Sequence, residues 1–162
     1  MIEIALFQPD IPQNAGTIMR LGACLGLAVH VIEPAGFVWS EPRLRRAGMD
    51  YLDLAAVTRH ASYEAFLAGL GERRLVLMTT RAETPYTDFA FSPGDAIMLG
   101  RESAGVPEAV HEAAAARLAI PMKPGLRSLN VAVACAMVMG EALRQTGGFP
   151  ALTPPAAPPG PA

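Results

Sequence analysis

The sequence predicts an α/β fold in which a mostly parallel sheet is covered by helices on both faces, and three observations carry that expectation. Compact apolar runs at residues 2–7, 74–79 and 96–99 have the composition of strands buried on both sides, as parallel strands are. Stretches of helical periodicity alternate with them, which is the pattern of a parallel sheet with crossover helices. At 162 residues, 51% hydrophobic and 17% charged, the chain is long enough to bury one sizeable core and too short for two comfortable domains.

Taken in order, residues 2–7 form the first strand and the turn-prone stretch 8–13 closes it. Asn14 precedes an apolar periodic stretch, 15–25, and is the expected N-cap of the first helix. Residues 28–32 form a second strand, stopped by Pro34 and Gly36, and residues 44–57 read as mixed helix and turn. Ser62 caps a helix that ends near Gly69, with Gly71 as its stop. Strands at 74–79 and 96–99 enclose a loop that carries Pro85, Pro93 and Gly94. Pro107 opens a helix through Ala116, residues 118–120 make a last short strand, and residues 128–145 make a long helix. From Gly147 the prolines at 150, 154, 155, 158, 159 and 161 preclude packing, so the domain is expected at 1–146 and a disordered tail at 147–162.

Several classes are disfavoured. The longest apolar stretch, residues 131–140, is about half a membrane span. The N-terminus has no basic region and no small-residue cleavage site, so it reads as a strand and the cytoplasm is the expected location. Cys24 and Cys135 lie in apolar helical stretches without a neighbouring His or basic residue and are expected in the core. His30, His60 and His111 are too scattered to suggest a metal, and no paired-cysteine or H-E-x-x-H spacing occurs, so no metal is expected. A net charge of −2 argues against non-specific coating of nucleic acid. Of the thirteen basic residues Lys123 is the one lysine, and arginines cluster at Arg43, Arg45 and Arg46 and at Arg73 and Arg74. Such forks suit phosphate, and each cluster reads equally well as a solvated charged face.

Ligands of α/β sheets bind outside the carboxyl ends of the strands, which directs attention to three segments. They are Pro12 to Gly16 with Arg20 beyond, Gly100 to Pro107, and Pro121 to Asn130. Neither G-x-G-x-x-G nor G-x-x-x-x-G-K-[ST] is present, so dinucleotide and P-loop sites lose support. The Gly100 segment offers backbone N–H groups and a carboxylate, Glu102; as a lone segment it reads equally as a turn and helix start. Asn130, in an apolar helix start, needs a partner for its amide.

Together the three segments resemble the SpoU/TrmH-like branch of the SPOUT methyltransferases, from the first strand to about Gln145. The motif N-x-G-x-x-x-R stands as Asn14 to Arg20, G-x-E-x-x-G-[VIL]-P as Gly100 to Pro107, and I-P-M with R-S-[LM]-N as Ile120 to Met122 and Arg127 to Asn130. The segments PDIPQ, HVIEPAG, RLRRAGMDY and TRH are similar to the minimal members that modify the wobble nucleotide of tRNA. The resemblance implies a C-terminal trefoil knot, a homodimer, S-adenosylmethionine as cofactor and tRNA as substrate. It places the cofactor against Met78, Thr79, Gly100, Gly105, Ile120 and Ser128, with Asn130 beside them, and the RNA on Arg43, Arg45 and Arg46.

The resemblance assigns catalysis to Arg20, with Asn14, Glu102, Ser128 and Asn130 in support. A ribose hydroxyl is a weak nucleophile, so orientation and charge stabilisation are what a guanidinium there supplies. A base role conflicts with its resistance to deprotonation. Methylation of another RNA, or RNA binding without catalysis, are the competing expectations. The chain departs from its relatives at Gly140, at Leu143, in the apolar run from Val131 to Ala134, and at Arg101, which adds a phosphate contact to the expected set.

Overall fold

The structure, a computed structural model, describes residues 1–39 and 55–152. Along the chain run β1 (Glu3–Phe7), α1 (Pro12–Leu25), β2 (Val29–Ile32), β3 (Val57–His60), α2 (Tyr63–Leu70), β4 (Leu75–Met78), a 3-10 turn (Tyr86–Asp88), β5 (Ala96–Leu99), α3 (Glu108–Ala113), β6 (Ala116–Leu118) and α4 (Val131–Thr146). The six strands lie in the order β3-β2-β1-β5-β4-β6 and every pairing is parallel. The chain therefore builds outward from β1 in one direction and returns through β5 on its other side. That reversal is the switch point where open α/β sheets leave a crevice.

Strand alternation divides the core. Ile4 and Leu6 of β1, Val29 and Val31 of β2, and Ile97 and Leu99 of β5 face α1 and α4. Ala5, Phe7, Ile32, Leu77 and Met98 face α2 and α3, around Phe66. In α4 the buried set Ala132, Cys135, Val138, Met139, Ala142 and Leu143 recurs at three- and four-residue steps, which lays one apolar stripe on the sheet. Close approach of α1 depends on Gly22, where a Cβ would stand 2.6 Å from Val29 Cγ2.

The structure corrects several expectations. The first helix begins at Pro12, whose missing N–H costs nothing in a first turn, so Asn14 lies inside the helix and is not its cap. The Thr58–His60 segment belongs to a strand, β3, at the sheet's edge, where intermediate burial leaves no apolar alternation. Strand β6 lies two residues before its expected place and α3 ends correspondingly early, at Ala113. Helix α4 starts at Val131 with Asn130 as its N-cap. Cys135 is fully buried, which pushes its thiol up to about 12, whereas Cys24 is exposed. Leu143 is a core residue in this chain and not a surface contact. The shifted starts of α1 and α4 follow from a first-turn proline and an asparagine cap outcompeting a run of apolar side chains.

The arginine pair Arg73 and Arg74 is consumed within the fold. Arg73 donates to the carbonyls of Leu70 and Gly69, closing α2, and pairs with Glu3. Arg74 grips Asp95 at 2.8 and 2.7 Å, a carboxylate that is only 2% exposed and that also accepts from the Ser92 N–H. Among the described residues no helix is long and apolar enough to cross a membrane.

The histidines are less scattered than the sequence suggests. Parallel pairing of β1, β2 and β3 brings His30 Nδ1 to 2.9 Å from His60 Nε2 and His30 Nε2 to 3.0 Å from Glu3, under Phe66. No group of three or more His, Cys, Asp or Glu among the described residues is placed to hold a metal. Burial, and next the charge on His30, hold the His60 imidazole below its ordinary value. The unfolded chain then takes up its proton first as pH falls, so stability is level above the ordinary histidine value of about 6.5 and declines below it. The thermal midpoint should fall between about pH 7 and 5.5, and fall less in His60→Gln. Equal declines in the two proteins would refute this origin.

Candidate functional site

At the carboxyl end of the sheet, β4, β5 and β6 release three loops around one cleft of about 760 Å³. This lies within the roughly 300–1,000 Å³ of small-molecule sites. Its lining includes Asn14, Met78, Thr79, Gly100, Glu102, Gly105, Ile120, Ser128 and Asn130, so the structure brings together nine of the site residues expected from the sequence. Leu99, Val131 and Ala134 add apolar wall, while Ala132 of the same run lies in the core and Val133 is exposed. Arg81 and Glu108, paired at 2.9 Å, also line it, and sequence reasoning had missed them.

The loop after β5 is folded back on itself. Arg101 N–H donates to the Gly105 carbonyl at 2.9 Å, and Gly105 N–H returns to the Arg101 carbonyl at 2.8 Å. A Cβ on Gly100 would stand 2.7 Å from the Gly105 carbonyl carbon, and Gly105 itself sits at φ +67°. Gly100 is thus required by the close approach and Gly105 by its left-handed backbone.

A chain of hydrogen bonds ties this loop to α1 and α4. The Asn130 side chain caps α4 by accepting from Ala132 and Val133 N–H, at 2.9 and 3.3 Å. Its Nδ2 donates to Asn14 Oδ1 at 2.9 Å, and Asn14 Nδ2 donates to Glu102 Oε1 at 3.0 Å. The other Glu102 oxygen accepts from the backbone N–H of Asp10 at 2.9 Å. Asn130 is therefore exposed yet partnered, not buried in the helix as its sequence position implied. The signal that links these three polar side chains was their shared position at strand ends, not their spacing.

Arg101 does not present itself to phosphate. Its guanidinium donates to Asp10 Oδ1, at 2.9 Å from Nη2 and 3.2 Å from Nε, and to Gln8 Oε1 at 3.3 Å. Hydrogen bonds from Ser103, and then from Arg101, hold the Asp10 carboxyl below the usual carboxylate range. Arg20 is exposed on α1 and stands outside the cleft lining. Six helical steps from Asn14 turn it by about 240°, onto a different face. Arg43, Arg45 and Arg46 lie outside the described residues.

Comparison with known proteins bears on this geometry. Residues 1–140 match the SpoU rRNA Methylase family. The chain is 63% identical over 148 residues to the tRNA (cytidine(34)-2'-O)-methyltransferase of Beijerinckia indica subsp. indica, covering 90% of this chain and 92% of that one. A solved structure described as giving structural insights into the 2-OH methylation of C/U34 on tRNA superposes with a TM-score of 0.85 at 42% identity, covering 90% of this chain and 95% of that one. The AdoMet-bound rRNA methyltransferase from Sinorhizobium meliloti superposes with a TM-score of 0.77 at 25% identity, covering 88% of this chain and 56% of that one.

Glutamine at 102 would offer one acceptor where the carboxylate offers two, and would aim its amide at a donor. Glu102→Gln should lower stability in urea by about 1–2 kcal/mol, because one donor loses its acceptor. An unchanged denaturation midpoint would show that the carboxylate does not tie the loop to α1.

Proposed function

The chain belongs to the SpoU methylase family, and from that premise we propose that it transfers a methyl group from S-adenosylmethionine to the ribose 2′-hydroxyl of the wobble nucleotide of tRNA, cytidine or modified uridine. The observation that carries this reading is the cleft at the switch point. Its polar relay of Asn14, Glu102 and Asn130 joins α1 to the loops after β5 and β6, beside an apolar wall. The match runs over 92% of the wobble-nucleotide relative and 56% of the ribosomal one, which favours tRNA over ribosomal RNA.

The residues present fit the cofactor. Met78, Leu99 and Ile120 offer an apolar slot, the Gly100 to Gly105 turn leaves backbone accessible where a side chain would block it, and Thr79, Ser128 and Asn130 supply polar edges. S-adenosylmethionine supplies an electrophilic methyl group on a sulfonium. The protein would hold the ribose hydroxyl in line with it and stabilise charge on the attacking oxygen, with the hydroxyl proton released to solvent as the methyl group is transferred and S-adenosylhomocysteine leaves. Arg20, permanently cationic, grips the phosphate beside that ribose and steadies the developing charge. Arg43, Arg45 and Arg46 extend the RNA contact. Residues 1–146 are the methyltransferase domain, with 147–162 a tail outside it, and the enzyme works in the cytoplasm on free tRNA. The segment after β5 is read as a trefoil knot, a reading supported by β6 lying beside β4 and by α4 packing back on α1.

A homodimer completes the site. Arg20 is not among the residues lining the cleft of its own chain, and a second copy packed on α1 is the geometry we read as carrying the arginine to a cofactor. Labelled methyl from S-adenosylmethionine, offered to tRNA from a strain lacking the gene, should appear as a 2′-O-methyl group at the wobble nucleotide. Arg20→Ala should lower that transfer by about 10²-fold or more, with cofactor binding retained; label at any other position would overturn the substrate assignment. Co-expressed Arg20→Ala and Asn130→Ala chains should regain up to about a quarter of native activity, since a mixed dimer holds one intact site. No regain over either variant alone would place Arg20 in the service of its own cleft.

A further inference from the structure

The segment between β1 and α1 does more than connect them. At Gln8 the backbone turns through φ 45°, a left-handed conformation that a non-glycine residue rarely adopts. The turn is held from several sides: Gln8 N–H donates to the Ile32 carbonyl, its side-chain oxygen accepts from Arg101, and Gly36 N–H donates to the Pro9 carbonyl. A Cβ on Gly36 would stand 2.8 Å from Asp10 Oδ1, so the space beside this carboxylate is kept for it.

Asp10 faces the loop after β5. It accepts from Arg101 Nε and Nη2 at 3.2 and 2.9 Å, from Ser103 N–H at 3.1 Å, and from the Ser103 hydroxyl. In return its own backbone N–H donates to Glu102. Three consecutive loop residues, 101 to 103, are thus held by one residue of the neighbouring connection. The loop also reaches this side of the sheet through Arg101 on Gln8 and through Glu102 on Asn14.

We propose that Asp10 is a positioning residue for methyl transfer, which through Arg101 and Ser103 clamps the cofactor loop onto the entry to α1. This rests on the function proposed above. Asp10 does not line the cleft, so it acts through the loop and not on the cofactor. The clamp fixes the Gly100 to Gly105 ring that borders the cleft, and with it the Glu102 carboxylate that orients Asn14. A loop released from it samples other conformations, and cofactor binding must then select the competent one.

The test is calorimetric binding of S-adenosylmethionine and steady-state transfer to tRNA, for native protein, Asp10→Ala, Arg101→Ala and the double variant. Each single change should raise Kd and KM for the cofactor about tenfold while kcat at saturating cofactor stays within about threefold. The double variant should be no worse than the worse single change, since both break the same clamp. Arg101→Lys, which keeps the charge but not the fork, should fall between native and Arg101→Ala. If Asp10→Ala does not fold, Arg101→Ala combined with Ser103→Ala removes the side-chain bonds from the loop side and leaves only the Ser103 N–H on Asp10. A fall in kcat that tracks the folded fraction, with KM for the cofactor unchanged, would reduce Asp10 to a structural role and overturn the proposal. Native protein that binds no S-adenosylmethionine would instead overturn the function on which it rests.

Discussion

Two side-chain carboxylates hold adjacent connections together in a reciprocal way. Glu102, after β5, accepts the backbone N–H of Asp10; Asp10, after β1, accepts the backbone N–H of Ser103. Such an exchange requires β1 and β5 to be neighbours with their carboxyl ends level, which the register of the sheet supplies: Leu6 pairs with Leu99 and each strand then ends within a residue. The cleft, the capping of α4 by Asn130, and the placing of Asn14 all hang from this junction. Parallel strands with a reversal of direction between them leave an open crevice, and here Glu102 lines it while Asp10 holds the loop from outside.

Much of this was legible in the sequence because strands buried on both faces must be continuous apolar runs, and β1, β4 and β5 are. The three ligand-bearing segments were found by looking where such runs stop. What escaped were features decided by competition between neighbours. Asn14 has the side chain of a cap, but Pro12 two residues earlier starts the helix first, and the amide is released for Glu102. Strand β3 carries Thr58, Arg59 and His60 on the sheet's edge, and its pairing with β2 is fixed by backbone hydrogen bonds that no side-chain pattern announces. His30 and His60 are thirty residues apart in sequence and in contact in the fold for the same reason.

Arginine content was the least transferable signal. A cluster of guanidinium groups suggests phosphate, yet Arg59, Arg73, Arg74, Arg81, Arg101 and Arg144 each pair with a carboxylate of this chain, and Arg117 donates to the carbonyls that end α3. With a net charge of −2 the protein has little cationic surplus to spend on a polyanion, so the contacts it makes with RNA must be few and placed. That agrees with an enzyme that reads one nucleotide in a folded RNA and with Arg20 standing exposed on its helix.

The relay also limits the chemistry. Both oxygens of Glu102 are occupied as acceptors, Asn14 donates and accepts, and the Asn130 carbonyl is committed to the α4 amides. A carboxylate that swung out of this relay would leave the Asn14 amide and the Asp10 N–H without their acceptor, at a cost of about 1–3 kcal/mol for each donor. A weak nucleophile in such a site gains its rate from alignment and from fixed charge. The partners that hold both Glu102 oxygens make it a strut between the loop after β5 and the entry to α1.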